Sequence, residues 1–392
     1  MLAAKSKWFT KAQEIFSEIV KIRRHLHKNP EIGFDVEKTA ELVASELEKL
    51  GIEVRREVGR TGVLGYLRVD GASETIALRA DMDALPMQEE NSVEYKSTVP
   101  GKAHMCGHDA HTAMLIGAAK ILAAHRSELK KNVRFIFQPS EELLPGGALG
   151  MIEDGALEGV DSVYGLHVWP TLDCGYCGIC ESAAMAQASC FKIIIEGKGG
   201  HAGTPHKTID PILLGSQAVL AIQSIVSRSL DPLESAVVGV TLFHAGDCEG
   251  VTPQRAELGG TIRSYKTEVQ DLIVQRLKCI LDGITAAHGA KYSFDYNAGY
   301  PPTINHPVAN EKACKSAVSV FGKEQFEYPA KSVMFSEDFS YYGQKVPACF
   351  IQLGCRNEEK GFTNLLHDPR FDIDEDCMQY GIALHVSLAM DY

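Results

Sequence analysis

The chain has 392 residues, 45% of them hydrophobic and 23% charged, with a formal net charge of −12. That length predicts two domains with a sizeable buried core. The acidic balance excludes sequence-independent binding to nucleic-acid backbones, and the lack of a run near ~20 uninterrupted apolar residues excludes a membrane span.

The N-terminal residues 1–20 are broken by Lys5, Lys7, Lys11, Glu14 and Glu18. They lack the continuous apolar core of a secretory signal, which points to a soluble, cytoplasmic protein. Eleven cysteines, an odd number, argue against a disulfide framework in such a chain. Ile15, Ile19, Ile22 and Leu26 fall three or four apart and predict an amphipathic helix over 9–28, stopped by Asn29-Pro30. A second helix is predicted over 37–50, ending at Gly51. Short apolar strands follow at 63–69, 75–78, 133–137 and 162–166, with a helix over 112–124 between them. Strand–helix alternation with strongly apolar strands predicts an α/β unit with a mostly parallel sheet covered by helices.

The pattern changes after residue 183. Strands at 190–196, 235–243, 255–263 and 290–296 and helices at 210–228 and 268–288 give the order βαββαβ. This is a ferredoxin-like α+β unit of about 110 residues. Pro301-Pro302 marks a return, followed by a strand at 348–353 and a helix near 377–390. The predicted arrangement is a discontinuous α/β domain, 1–183 and 299–392, interrupted by an inserted domain, 184–298.

The densest polar cluster is GKAHMCGHDAH at 101–111, with His104, Cys106, His108, Asp109 and His111 beside a helix. Thiolate, imidazole and carboxylate form the ligand set of zinc and related divalent ions. Three further segments carry acid or imidazole groups just past apolar strands: Asp81 and Asp83, the pair Glu141-Glu142, and His167. Sites in open α/β sheets form at the carboxyl ends of strands, so these groups converge on one rim. Next to a metal, adjacent carboxylates divide the labour, one ligating while the other accepts a proton.

Two other patterns are weaker. GKGGHA at 197–202 loosely fits a dinucleotide fingerprint, but Pro205-His206 interrupts the helix that should follow. Cys174, Cys177 and Cys180 are spaced like part of an iron–sulfur run that lacks its fourth cysteine, and they fit a packed hairpin or edge strand.

RADMDALP (79–86), GKAHMCGHDAH (101–111), FQPSEE (137–142), GLHVWP (165–170), GKGGHAGTPH (197–206), SEDF (336–339) and HDPRF (367–371) run in order along nearly the whole chain. Together they resemble the aminoacylase/carboxypeptidase family of metallopeptidases, in its branch of hippurate, N-acyl-amino-acid and auxin-conjugate hydrolases. The resemblance implies a catalytic α/β domain with an inserted lid domain through which two subunits pair as a homodimer. It implies that Cys106, His108, Glu142, His167 and His367 hold two divalent metals, with Cys106 bridging. Glu141 is then the general base, Asp83 supports the metal site, and His201 stabilises the oxyanion in the partner subunit's site. Sulfur and imidazole favour Zn²⁺, and carboxylate ligation leaves Mn²⁺, Co²⁺ and Ni²⁺ as alternatives.

Arg263, ending a lid strand, is the candidate clamp for a substrate's free carboxylate, an edge-strand arginine without a ligand being the alternative. One stretch departs from the family: Gly250-Val-Thr-Pro253 stands where relatives carry Asn-Val-Ile-Pro. The expected activity is metal-dependent hydrolysis of small N-acyl-L-amino acids. A carboxypeptidase or dipeptidase on the same scaffold, or a non-catalytic homologue that binds amino-acid conjugates, are the alternatives.

Overall fold

The computed structural model describes residues 6–391. Met1–Lys5, the front of the segment read as lacking a signal core, and Tyr392 lie outside the described residues. The chain forms two compact units. One takes the chain up to Ala184, Ile304–Ser332 and the stretch from Asp338 onward; the other takes Met185–Thr303 and Val333–Glu337.

The chain opens with α1 (Lys7–Lys28), α2 (Glu37–Lys49), β1 (Glu53–Val58), β2 (Gly62–Leu67) and β3 (Thr75–Asp81). Next come α3 (His108–Ala124), β4 (Asn132–Gln138), α4 (Ala148–Glu153), β5 (Ser162–Asp173) and β6 (Cys177–Ile179). The second unit holds β7 (Gln187–Glu196), α5 (Pro211–Ser229), β8 (Ala236–Ala245), β9 (Arg255–Ser264), α6 (Thr267–His288) and β10 (Lys291–Ala298). The return to the first unit supplies α7 (Pro307–Phe321), β11 (Phe326–Glu327), β12 (Ala348–Arg356) and α8 (Cys377–Met390).

In the first unit eight strands form one sheet in the order β1-β2-β4-β3-β5-β12-β6-β11. Its centre is parallel: β3 pairs in parallel with β4 and β5, and β5 with β12. The flanks turn antiparallel, at β1–β2–β4 on one side and β12–β6 on the other. The central strands are buried along almost their whole length, as expected of strands covered on both faces. Helices α1, α3 and α8 pack on one another beside the sheet, and α3 is so enclosed that fourteen of its residues are buried.

Three boundaries matter for the site. β5 runs to Asp173 rather than stopping at Leu166, so His167 lies inside the strand. β3 likewise continues to Asp81. Helix α3 begins at His108, not Thr112, which places His108, Asp109 and His111 in its first turn. β1 had no sequence signal because it is an edge strand whose residues EVRREV are mostly polar. Helix α7 was also missed: its buried side is small residues, Ala309, Ala313 and Ala317, with little apolar contrast to mark a period.

The second unit is a four-stranded antiparallel sheet ordered β8-β9-β7-β10, the ferredoxin-like order for βαββαβ connectivity. Leu214, Ala218, Ile222 and Ile225 of α5 and Ile273, Leu277 and Leu281 of α6 form its core with Phe191, Ile193 and Ile195 of β7. Among the described residues α5 is the one helix long and apolar enough to cross a membrane by length and composition. Its sequence is nonetheless interrupted by Ser216, Gln217, Gln223, Ser224 and Ser227.

Candidate metal centre

Register places the site. β3 and β4 are aligned so that Asp81 faces Gln138, and β3 and β5 so that Arg79 faces Gly165. Two residues past Arg79 and Gly165 come Asp81 and His167, so the loops leaving β3 and β4 and the end of the β3–β5 ladder share one level. Glu141 and Glu142 sit on the loop after β4. Asp83 holds that loop: its carboxylate accepts from Glu141 N at 3.0 Å and from Glu142 N at 3.1 Å. Its backbone carbonyl accepts from His108 Nδ1 at 2.9 Å, so one residue anchors the acid pair and the imidazole together.

The donor at the head of α3 comes from a glycine turn. Gly107 has φ +89°, and a Cβ there would lie 2.3 Å from Val168 Cγ2. Glycine alone allows both the left-handed backbone and that approach. His367 lies on the loop before Phe371 and is itself left-handed, at φ 66°. Its N–H donates to Met105 O at 2.8 Å, which ties it to the Cys106 loop. A non-glycine residue held in that region is a strained position of the kind found at functional sites.

Cys106, His108 and His167 offer donor atoms within 4.8 Å of one another, and so do Cys106, Glu142 and His367. Cys106 is common to both triads. A third group, His108, Glu141 and Glu142, overlaps them. Cys106 Sγ is 3.4 Å from His167 Nε2, and His367 Nε2 is 3.3 Å from Glu142 Oε1. The tautomers suit ligation. His108 Nδ1 donates to Asp83 O and His167 Nδ1 to Val168 O at 2.7 Å, so in the neutral, ligating form each ring has its lone pair on Nε2. Fixing the second nitrogen in this way is how metal-binding histidines are usually oriented.

The residues fit a divalent pair. His108 Nε2 is buried without a hydrogen-bond partner, and Glu142 Oε1 meets His367 Nε2 at 3.3 Å without a well-formed hydrogen bond, an expensive state for buried polar atoms unless an ion meets them. The electrostatics agree. Burial, then the Glu142 and Glu141 carboxylates, hold the Cys106 thiol well above its usual pKa. Burial opposes charge on His108, but Asp81 and Asp83 outweigh it and raise the imidazole to about 10. A pocket that favours added positive charge and penalises a thiolate is a cation-seeking pocket.

Of the other members of the 101–111 run, His111 alone joins a donor group among the described residues, with Asp81 and His108. Asp109 faces the other way, 2.8 Å from Arg23 Nε and 2.7 Å from His27 Nδ1. His104 is buried with neither ring nitrogen bonded and joins no donor cluster among the described residues. His111 spends both nitrogens on hydrogen bonds, to Asp81 Oδ1 at 2.7 Å and from Val168 N at 2.9 Å. In sequence His111 stands in the candidate ligand cluster and Asp81 at the strand-end rim, and no motif there links the two to each other. The available signal is spacing: Arg79, Asp81 and Asp83 alternate along one strand line, and His111 stands one helical turn from His108.

The remaining candidates belong to the second unit. His201 is exposed, in a two-residue strand paired with Val251-Thr252, and its Nδ1 accepts from Gly203 N at 2.9 Å. The neutral ring therefore carries its proton on Nε2. Arg263, half-buried on β9, donates from Nη1 to Met334 O at 2.6 Å. Cys177 and Cys180 are buried and Cys174 partly so; all three are free, and they join no donor cluster among the described residues.

Comparison with known proteins agrees with this geometry. The chain is 42% identical over 388 residues to "IAA-amino acid hydrolase ILR1-like 2" of Arabidopsis thaliana, covering 98% of this chain and 87% of that protein. It is 45% identical over 294 residues to "N-acyl-L-amino acid amidohydrolase" of Geobacillus stearothermophilus, covering 75% and 79%. The fold matches the crystal structure of the Bacillus subtilis YXEP protein, a dinuclear metal binding peptidase from the M20 family. That match has a TM-score of 0.84 and 32% identity over 96% of this chain and 98% of that one. The profile of Peptidase family M20/M25/M40 matches residues 77–391. With this match and these relatives, the chain belongs to Peptidase family M20/M25/M40 and is a metal-dependent hydrolase of amide bonds.

Proposed function

We propose that the enzyme hydrolyses the amide of small N-acyl-L-amino acids in a catalytic domain formed by 1–183 and 299–392, with 184–298 as its lid. The observation that carries this reading is the pair of donor triads sharing Cys106, with a second carboxylate, Glu141, beside them. Cys106, His108, Glu142, His167 and His367 would hold two divalent ions, Cys106 being the residue common to both donor groups. Thiolate and imidazole donors favour Zn²⁺, and the carboxylate donor also suits Mn²⁺. Bound there, such ions polarise the scissile carbonyl and lower the pKa of the attacking water.

The chain's own groups do the rest. Glu141 takes the proton of the attacking water and hands it to the amine nitrogen as the C–N bond breaks. Asp83 keeps Glu141 and Glu142 in place through their N–H groups. His201 presents an Nε2 donor to the developing oxyanion in the partner subunit's site, and Arg263 receives the substrate's free carboxylate. A homodimer through the lid supplies that partner. Support comes from the edge strand β8, which exposes Val237, Leu242 and Phe243, and from α5, which exposes Leu213 and Leu220. Apolar side chains on an unpaired edge and a neighbouring helix suit pairing with a second copy. The eleven free cysteines support a cytoplasmic setting.

The test is turnover of N-benzoyl-glycine, N-acetyl-amino acids and dipeptides before and after chelation, with metal add-back. N-acyl-amino acids should be the best substrates, and activity should vanish on chelation and return with metal. Preference for dipeptides would move the assignment to a peptidase, and insensitivity to chelators would remove the mechanism.

A further inference from the structure

We infer that His111 is a positioning residue of the metal centre: it orients His167 through the backbone of Val168, and Asp81 and Arg79 anchor it. This rests on the proposed reading of His167 and Cys106 as ligands.

The direction of each hydrogen bond can be read without ambiguity. Val168 N–H can only donate, so His111 Nε2, 2.9 Å away, accepts. The ring proton is then on Nδ1 and goes to Asp81 Oδ1 at 2.7 Å. The other Asp81 oxygen accepts from Arg79 Nη1 at 2.6 Å. Arg79 in turn donates to Gln138 Oε1 and to Asp338 Oδ1, each at 3.0 Å. Arg79, Asp81, His111, Gln138 and Asp338 are all no more than 1% exposed, so water does not compete for any link.

The far end of the chain reaches the donors. The β3 ladder on β5 ends at Gly165, which leaves the Val168 N–H beyond it to be met by His111. The carbonyl of the same residue accepts His167 Nδ1–H, and His167 Nε2 is thereby turned to Cys106 Sγ. The rings of His111 and His167 also pack edge to face, 4.5 Å between centroids. Gly107 also lies close to Val168, a Cβ there falling 2.3 Å from Val168 Cγ2. An Asp–His pair placed one bond behind a ligand is the arrangement by which outer groups fix ligand orientation and basicity.

The test compares His111→Leu and His111→Gln with the wild type. Leucine removes both polar functions, whereas glutamine keeps one acceptor and one donor. Zn²⁺ affinity is measured by competition with a chromophoric chelator, and the Co²⁺-substituted proteins are compared by their thiolate-to-metal absorption. H111L should bind one of its two ions about 10- to 100-fold more weakly, with a changed Co²⁺ spectrum, and H111Q should recover most of the loss. Equal affinities for both ions in wild type and H111L would overturn the inference and leave the metal reading intact. A wild-type chain that binds no ion overturns both. Should H111L fail to fold, the ring ¹⁵N shifts of the wild-type histidines decide, His111 being assigned by its loss in H111Q. An Nδ1–H tautomer at His111 is required, and an Nε2–H tautomer refutes the assignment.

Discussion

Replacing Asp83 by asparagine tests whether the acid pair is held where the chemistry needs it. Asp83 is 1% exposed and its two oxygens accept the N–H groups of Glu141 and Glu142 at 3.0 and 3.1 Å. An asparagine of the same shape can accept only one of them; its NH₂ then opposes the other. Hydrogen bonds to a charged acceptor contribute about 1.5–3 kcal/mol each, and a buried donor left unpaired costs about 1–3 kcal/mol. Asp83→Asn should therefore lower stability by about 2–4 kcal/mol, read as a shift in urea unfolding of the metal-loaded protein. The Glu141-Glu142 backbone would also move, and a displacement on the order of 1 Å of a catalytic group costs about 10²-fold in rate. The expected kinetics are a kcat lower by about that factor with KM nearly unchanged, since Asp83 is given no contact with substrate. A variant with wild-type unfolding midpoint and wild-type kcat would refute the anchoring argument.

Two further outcomes follow from residues outside the donor set. Burial and the Arg23 charge oppose protonation of His27, but Asp109 and Glu89 outweigh them and raise it from 6.5 to about 9. A raised folded-state pKa adds stability that is fully present below pH 6.5 and is lost as pH rises through 9. The stability difference between wild type and His27→Gln should shrink across that window by up to about 3 kcal/mol; a difference independent of pH would contradict the network. Leu220 is 75% exposed on α5. If the proposed homodimer pairs through this face, Leu220→Glu should give a monomer in light scattering and lower activity, because His201 would lose the partner site proposed for it. An active dimeric L220E would place the interface elsewhere.

Much of the fold was legible because its strands are short, apolar and separated by helices with clear period. The parallel centre, the βαββαβ insert and helices α1 and α2 carried that contrast, whereas α8 was legible as an apolar segment buried nearly all round. β1 and α7 were not legible, one being a polar edge strand and the other a helix with an alanine seam. At the site, residue types and motif order pointed to the five proposed donors, and the rule that sites form at the carboxyl ends of strands brought Asp81 and Asp83 to one rim. What could not be read was orientation. The left-handed backbone at His367, the tautomers of His108 and His167, and the turning of Asp109 toward Arg23 depend on contacts between segments far apart in the chain. His104 and His111 stand among ligands in sequence, yet one is enclosed without a polar partner and the other is fully committed to Asp81 and Val168.

Glu141 is proposed to move the proton while its neighbours hold the metals. Glu141→Gln separates the two duties in one sample, by metal content and by turnover of an N-acyl-amino acid. Two ions per subunit should be retained and kcat reduced by about 10²–10⁴-fold, the range for removal of a general acid–base group. Two bound ions with turnover close to wild type would contradict that role.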